Sequence, residues 1–314
     1  MTLNKFKTIF AAMLLVAVLV SAAALAAEET GRWTSGAAMP SQRSEVAVAE
    51  VGGKIYVIGG FASQRELEIY DPATDIWSRG AAVPRSLHHA AAVGLSGKLY
   101  VVGGYADGWT PIDDLHEYDP ASNRWRRLAA MPTARGALAV AVLDGKIHAV
   151  GGAGHGRRNT PAHEVYDPAT DQWTVRTPIP TARDHLAVAA VDGKLFAIGG
   201  RVDGSYAQNL AANEAYDPVS DNWEQRAPLP TPRSGIAAAV LDGRIFVLGG
   251  EAPSGTFNQV EAYDPKGNSW SNYAPMPTAR HGLGAVAVGR SIHVIAGGPT
   301  PGGSASSANE IFVP

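Results

Sequence analysis

The chain has 314 residues, of which 46% are hydrophobic and 18% charged, with a formal net charge of −3. That is enough apolar material for a large core, and too little charge for a disordered or nucleic-acid-binding chain. Thirty-five glycines, 21 prolines and seven tryptophans suit many short strands joined by tight turns, so an all-β fold is expected, and the absence of cysteine excludes disulfides, thiolate metal sites and a lipid-bearing cysteine.

The first element is an apolar run from Ile9 to Val20, preceded by Lys5 and Lys7 and followed by small residues ending Ala24-Leu25-Ala26. It reads as a secretory signal peptide over residues 1–26, because the small side chains of Ala24 and Ala26 fit the shallow pockets of the peptidase. The rival reading is an uncleaved membrane anchor, for which the run is near the lower length limit. Cleavage leaves 24 basic against 29 acidic residues, a formal charge of −5, which offers no general attraction to nucleic acid or anionic lipid. The expected product, residues 27–314, is an exported periplasmic or extracellular monomer with no membrane insertion.

From Trp33 onward the chain repeats. Trp33, Trp77, Trp125, Trp173, Trp223 and Trp270 recur every 44 to 50 residues, and each is followed seven residues later by a proline, from Pro40 to Pro277. Nineteen residues beyond each proline comes a glycine pair, Gly59-Gly60 in the first copy and Ala296-Gly297 in the last. Tyr-Asp-Pro follows at Tyr70, Tyr118, Tyr166, Tyr216 and Tyr263, each tyrosine seven residues before the next tryptophan, and the sixth copy ends Phe312-Val313-Pro314.

Each copy holds four strands. Ala137 to Leu143 is a first strand of small residues, as crowding near an axis requires; Asp144-Gly145 is a two-residue hairpin signal, repeated at Asp192-Gly193 and Asp242-Gly243. Strand two ends at the glycines, strand three at Asp-Pro, and tryptophan opens strand four. The chain begins with a lone fourth strand and ends without one, so pairing of Trp33-Thr34-Ser35 with Asn309 to Phe312 is expected to close the ring and remove two open edges.

These residues match the kelch repeat, whose pattern is a glycine pair followed at a distance by tyrosine and tryptophan, over nearly all of residues 33–314. The chain therefore resembles the kelch-repeat propellers. The expected fold is all-β, a six-bladed β-propeller of 24 strands, with blades near residues 41–80, 85–128, 133–176, 181–226, 231–273 and 278–314, the last completed by 33–39.

All length variation falls between glycine and tyrosine, with separations of 11, 15, 15, 17, 14 and 16 residues. Insertions confined to one connection map to one face of a repeat protein, commonly the binding face, and the loops from strand four to the next strand one open there too. Candidate ligand-binding residues on this face are Arg85, His88, His89, Tyr105, Trp109, Arg157, Arg158, Arg201, Tyr206 and Glu251, because aromatics beside arginine offer stacking surface and forked donors to a glycan, a carboxylate or an acidic peptide.

A second set is the arginine three residues after each proline: Arg43, Arg135, Arg183, Arg233 and Arg280. In the kelch domains of ubiquitin-ligase adaptors, arginines in this part of the repeat hold acidic peptides, so the resemblance implies an anion site. Yet Glu68, Glu164, Glu214, Glu261 and Glu310, two residues before the aromatic, occur in the same five repeats, whereas blade two has Leu87 and His116. Residues that come and go together are expected to pair, here as partly buried ion pairs across the glycines within each blade rather than as an open ring. Blade two, where the pattern breaks, is expected to bring Arg85, His88, His89 and His116 toward one side as a specialised site.

The favoured function is an exported binding module that recognises a protein or glycan, an anionic one included, through one face. The alternative is a sugar mutarotase or epimerase similar to the kelch-type sialic acid mutarotases, which the resemblance associates with acid–base residues at the mouth: Glu45, His88, His89, Arg85 and Glu251. Copper oxidation like that of galactose oxidase, another kelch propeller, needs a cysteine cross-linked to tyrosine, and the chain has no cysteine. No cofactor is expected, since the glycine pairs end strands rather than open helices. No metal site is expected either, because adjacent His88 and His89 would point to opposite sides of a strand. His185 and His281 join a channel site only if the fold gathers them.

Overall fold

A computed structural model describes residues 31–62 and 64–314. The signal peptide expected over residues 1–26 lies outside the described residues, among which no helix is long and apolar enough to cross a membrane.

Among the described residues, six four-stranded antiparallel sheets stand around one axis, each a blade, and three two-stranded hairpins are added on the connecting loops. Blade three shows the plan: Ala139–Leu143, Lys146–Val150, His163–Asp167 and Gln172–Val175 pair in that order from the axis outward. The innermost strands are built from alanine, valine and glycine because six of them crowd one channel, of about 460 Å³. Leu138, Leu186 and Ile236 are among the larger side chains that fill the seams between blades. Asp144 and Gly145 have φ of 52° and 71°, both in the left-handed region, as a two-residue hairpin turn requires. Blade three's first strand starts two residues later than the apolar run suggests, because Ala137 itself adopts a left-handed φ of 52° and leaves the ladder.

The ring closes through the chain ends. Arg32–Ser35 pairs antiparallel with Asn309–Val313, setting Trp33 opposite Phe312 with ring centroids 4.9 Å apart. Each repeat tryptophan also sews its blade to a neighbour: Trp77 Nε1 donates to Ala37 O at 2.8 Å, Trp125 to Ala81 O at 2.8 Å, and Trp33 to Ala274 O at 2.9 Å across the closure. Truncating half-buried Trp33 to alanine removes both the stacking and this bond. It is expected to cost about 2 kcal/mol, below the roughly 3–5 kcal/mol of a fully buried large aromatic because Trp33 is only half-buried, measured by denaturant unfolding. An unchanged midpoint and slope would show that the closing strand adds nothing to stability.

The repeated arginines lie inside the blades. Arg43 meets Glu68 at 2.6 Å, Arg135 meets Glu164 at 2.5 Å, Arg183 meets Glu214 at 2.5 Å and Arg280 meets Glu310 at 2.8 Å, while Arg233 bonds Glu261. All five guanidiniums are fully buried, deeper than the partial burial expected. Each also donates to a carbonyl at or near the end of strand two, Arg183 to Ala197 O at 2.8 Å for example, so they brace the blade from within. The glycine pair makes room for this. A Cβ on Gly200 would stand 3.2 Å from Arg183 Cδ in the same blade, and the first glycine admits the next blade's backbone, since a Cβ on Gly151 would stand 2.8 Å from Arg183 O.

Candidate functional site at the channel mouth

The two residues after each repeated arginine, or after Leu87 in blade two, form the rim of the channel. The first of them bridges to the residue just past the glycine pair: Ser44 to Phe61, His88 to Tyr105, Gly136 to Ala153, Asp184 to Arg201, Ser234 to Glu251 and His281 to Gly298. The variable loops and the strand-four connections therefore share one face.

The second residue forms an inner ring of six: Glu45, His89, Ala137, His185, Gly235 and Gly282. Their backbones make a closed circle of hydrogen bonds, each N–H donating to the carbonyl of the preceding blade. His89 donates to Glu45 O at 3.0 Å, Ala137 to His89 O at 2.8 Å, His185 to Ala137 O at 2.9 Å, Gly235 to His185 O at 3.0 Å, Gly282 to Gly235 O at 2.9 Å and Glu45 to Gly282 O at 2.7 Å. Closing that circle needs positive φ at every member. Glu45 at 54°, His89 at 53° and His185 at 52° adopt it despite carrying side chains, where Gly235 and Gly282 do so freely.

The left-handed turn at His89 also overturns the expectation that His88 and His89 diverge. His89 is not on a strand, so alternation does not apply, and the two Nδ1 atoms approach to 2.6 Å. Glu45 Oε2 lies 3.3 Å from His89 Nε2, and Glu45 Oε1 lies 3.5 Å from His281 Nε2. His281 Nε2 is in turn 3.6 Å from Glu251 Oε2. Arg201 links the other side: it donates to Glu251 at 2.6 Å, to Asp184 at 3.2 Å and to His185 Nε2 at 2.7 Å, while Asp184 bonds His185 Nδ1. All of these side chains are largely buried.

Burial drives His89 well below the ordinary histidine range, helped by His185, His88 and Arg201 around it, and burial likewise lowers His88. Both imidazoles are therefore neutral at neutral pH. Burial opposes ionisation of Asp184 and Glu251, but the neighbouring His185 and Arg201, or His281 and Arg201, outweigh it and hold both below the usual carboxylate range.

Aromatic rings wall the entrance. The Trp109 indole lies 4.9 Å from His88, 5.1 Å from His89 and 5.2 Å from Tyr105, and Arg157 stacks on its outer face at 3.9 Å. Phe61 completes the wall at 4.7 Å from His88. Beneath the inner ring is a chamber of about 90 Å³, lined by Glu45, His89 and His185 above an apolar floor of Val46, Leu138, Leu186, Ile236 and Leu283.

Of the residues expected from sequence, the mouth thus gathers His88, His89, Tyr105, Trp109, Arg157, Arg201 and Glu251. Tyr206 stands behind Arg201, 5.7 Å from the guanidinium, and Arg158 is exposed on the rim. Arg85 is not in the site: it grips Asp107 at 2.9 Å and Asp114 at 3.6 Å, tethering the hairpin that carries Trp109. His116 also stays away, buried within blade two against Trp125, because it fills the position of the missing glutamate. Asp184 was not singled out from sequence, and His185 and His281 only conditionally. Aligning the six copies on their arginine would have found them, since these columns otherwise hold glycine, alanine and serine.

A family model for the KLHDC2/KLHL20/DRC7 Kelch-repeats domain matches residues 22–152 and 165–313, nearly the whole chain. The chain belongs to the kelch-repeat family. Among solved structures, that of YjhT superposes with a TM-score of 0.77, covering 87% of this chain and 95% of that one at 19% identity, which establishes a shared fold. No curated protein matches the chain. Kelch repeats explain the tryptophans, the glycine pairs and the buried arginine–glutamate pairs; they do not require the charged side chains at the mouth, whose equivalent positions elsewhere in the ring are Gly136, Ala137, Gly235 and Gly282.

Proposed function

We propose that this kelch propeller, exported to the periplasm or beyond, takes a small sugar at its axial mouth and interconverts forms of it by proton transfer, in the manner of the kelch-type sialic acid mutarotases. A kelch propeller also suits a protein-docking module, but one observation favours chemistry. Five blades each contribute buried ionisable side chains, Glu45, His88, His89, Asp184, His185, Arg201, Glu251 and His281, to one point on the axis. A docking surface uses exposed groups; desolvated acids and bases gathered at a cleft are what proton transfer needs. Opening and reclosing a cyclic hemiacetal requires only that a proton leave one oxygen and be returned to another. Trp109 and Phe61 offer stacking faces to a sugar ring, and Arg157 and Arg158 stand at the rim for an acidic one.

The test is a thermal-shift screen of the protein against acidic sugars, neutral sugars and acidic peptides, followed by exchange NMR of anomer interconversion for any sugar that stabilises. An acidic sugar is expected to raise the melting temperature and to exchange anomers faster with protein than without. Replacing Arg157 and Arg158 together with alanine should weaken its binding about tenfold or more, as loss of two charge-assisted donors implies, with an unchanged melting temperature of the free protein. Stabilisation by acidic peptides alone, with no anomer exchange, would return the function to a docking module.

A further inference from the structure

The proton positions at the mouth leave a specific deficit. His88 Nε2 lies 2.6 Å from Gly108 O and must donate to it, so a His88 ring carrying one proton presents Nδ1 as an acceptor to His89. His89 Nδ1 then carries its proton toward His88, and His89 Nε2 is left as a bare lone pair 3.3 Å from a carboxylate oxygen of Glu45. On the other side, His185 Nδ1 carries a proton to Asp184, and His185 Nε2 accepts from Arg201, which can only donate. One ligand atom each from Glu45, His89 and His185 thus lies within 4.8 Å of the others, with His89 Nε2 turned directly on the Glu45 carboxylate.

We propose that Glu45 Oε2, His89 Nε2 and His185 Nε2 bind a divalent first-row transition cation. Two histidines and one carboxylate are a donor set for such ions, and the 3.3 Å between Glu45 and His89 is the ligand-to-ligand spacing that bonds of about 2.0–2.2 Å produce around a tetrahedral centre. Each ligand already has an orienting partner behind it: His88 behind His89, Asp184 behind His185, and His281 at 3.5 Å from the second oxygen of Glu45. Charge agrees as well. Arg201 grips the buried carboxylates of Asp184 and Glu251, while buried Glu45 meets no arginine or lysine among the described residues, so a cation would supply its counter-charge. The 90 Å³ chamber below the ring leaves space for about three waters to complete the coordination. To free His185 Nε2, Arg201 shifts entirely on to Asp184 and Glu251. The cation would polarise an oxygen of the ligand held above it, leaving Glu251 and His281 to handle protons.

This site shares the mouth with the proposed sugar chemistry, yet cation binding is read with no sugar present, so either reading can fail without the other. EDTA-treated, purified protein is titrated with Zn2+ by calorimetry, with Mg2+ as the oxygen-preferring comparison. One equivalent of Zn2+ is expected to bind and to raise the melting temperature, and Mg2+ to do neither. Glu45→Gln, His89→Ala and His185→Ala should each weaken Zn2+ binding at least about 100-fold, since removing even an orienting partner costs 10–100-fold. Alanine is tolerated at this ring position, as Ala137 shows at the same φ. His155→Ala, on the exposed loop of blade three, should bind as the unmutated protein does. Failure of the folded protein to bind Zn2+, or full affinity in the three folded variants, overturns the proposal. Should a variant not fold, Co2+ added to the unmutated protein decides: visible ligand-field bands support the site, and their absence refutes it.

Discussion

Replacing Glu214 with alanine should destabilise the propeller by about 3–5 kcal/mol, the cost of stranding a buried charge. Arg183 is fully buried, desolvation already lowers its affinity for its proton, and Glu214 is the group that opposes this. The informative companion is the double variant Arg183→Leu with Glu214→His, which writes blade two's own solution into blade four. There Leu87 packs into the apolar seam with Leu67 and Val83, and His116 sits against Trp125. The double variant should recover most of the lost stability, because removing both charges together leaves neither stranded, whereas removing one does. Urea unfolding of the two variants measures both. Equal losses in the single and double variants would mean that the pair stabilises the blade through more than mutual charge compensation.

Lowering the pH should destabilise the protein before its carboxylates are protonated. His148 and His163 are buried against Tyr216 and Trp223 in the seam between blades three and four, with His148 Nδ1 2.9 Å from His163 Nε2. Burial lowers His148 to about 3 and His163 to about 4, each reinforced or moderated by its neighbours. In the unfolded chain both titrate near 6.5, so it is the unfolded state that takes up protons first and stability declines as pH falls from 6.5 toward 4. At pH 5 each group costs about 2 kcal/mol relative to pH 8, taking 1.36 kcal/mol per unit. Buried His293, lowered by burial to about 4, adds to the same window. Replacing His148 with phenylalanine and His163 with leucine should flatten the fall in melting temperature between pH 7 and pH 5. A slope as steep as that of the unmutated protein would place the acid sensitivity elsewhere.

The repeat register and all-β propeller were legible in six spaced copies, the arginine–glutamate pairs in their co-occurrence in five of the six, and the closing strand at Trp33 in the fourth strand that the last copy lacks. A pattern that local turn and strand geometry imposes on every copy can be read from any of them. For the site, sequence pointed to a face and, through the resemblance, to residues such as Glu45, His88, His89 and Glu251, but not to how they meet. Glu45, His89, His185, Glu251 and His281 are separated by up to 236 positions in sequence and meet because closing the ring sets equivalent positions of different blades around one axis. Which atoms face inward depends further on the left-handed φ at Glu45, His89 and His185, a consequence of the circle of backbone hydrogen bonds. Those bonds join each blade to the next, so no single repeat contains the reason for them. Sequence determined what each blade must be, and only ring closure decided which of its irregular residues would touch.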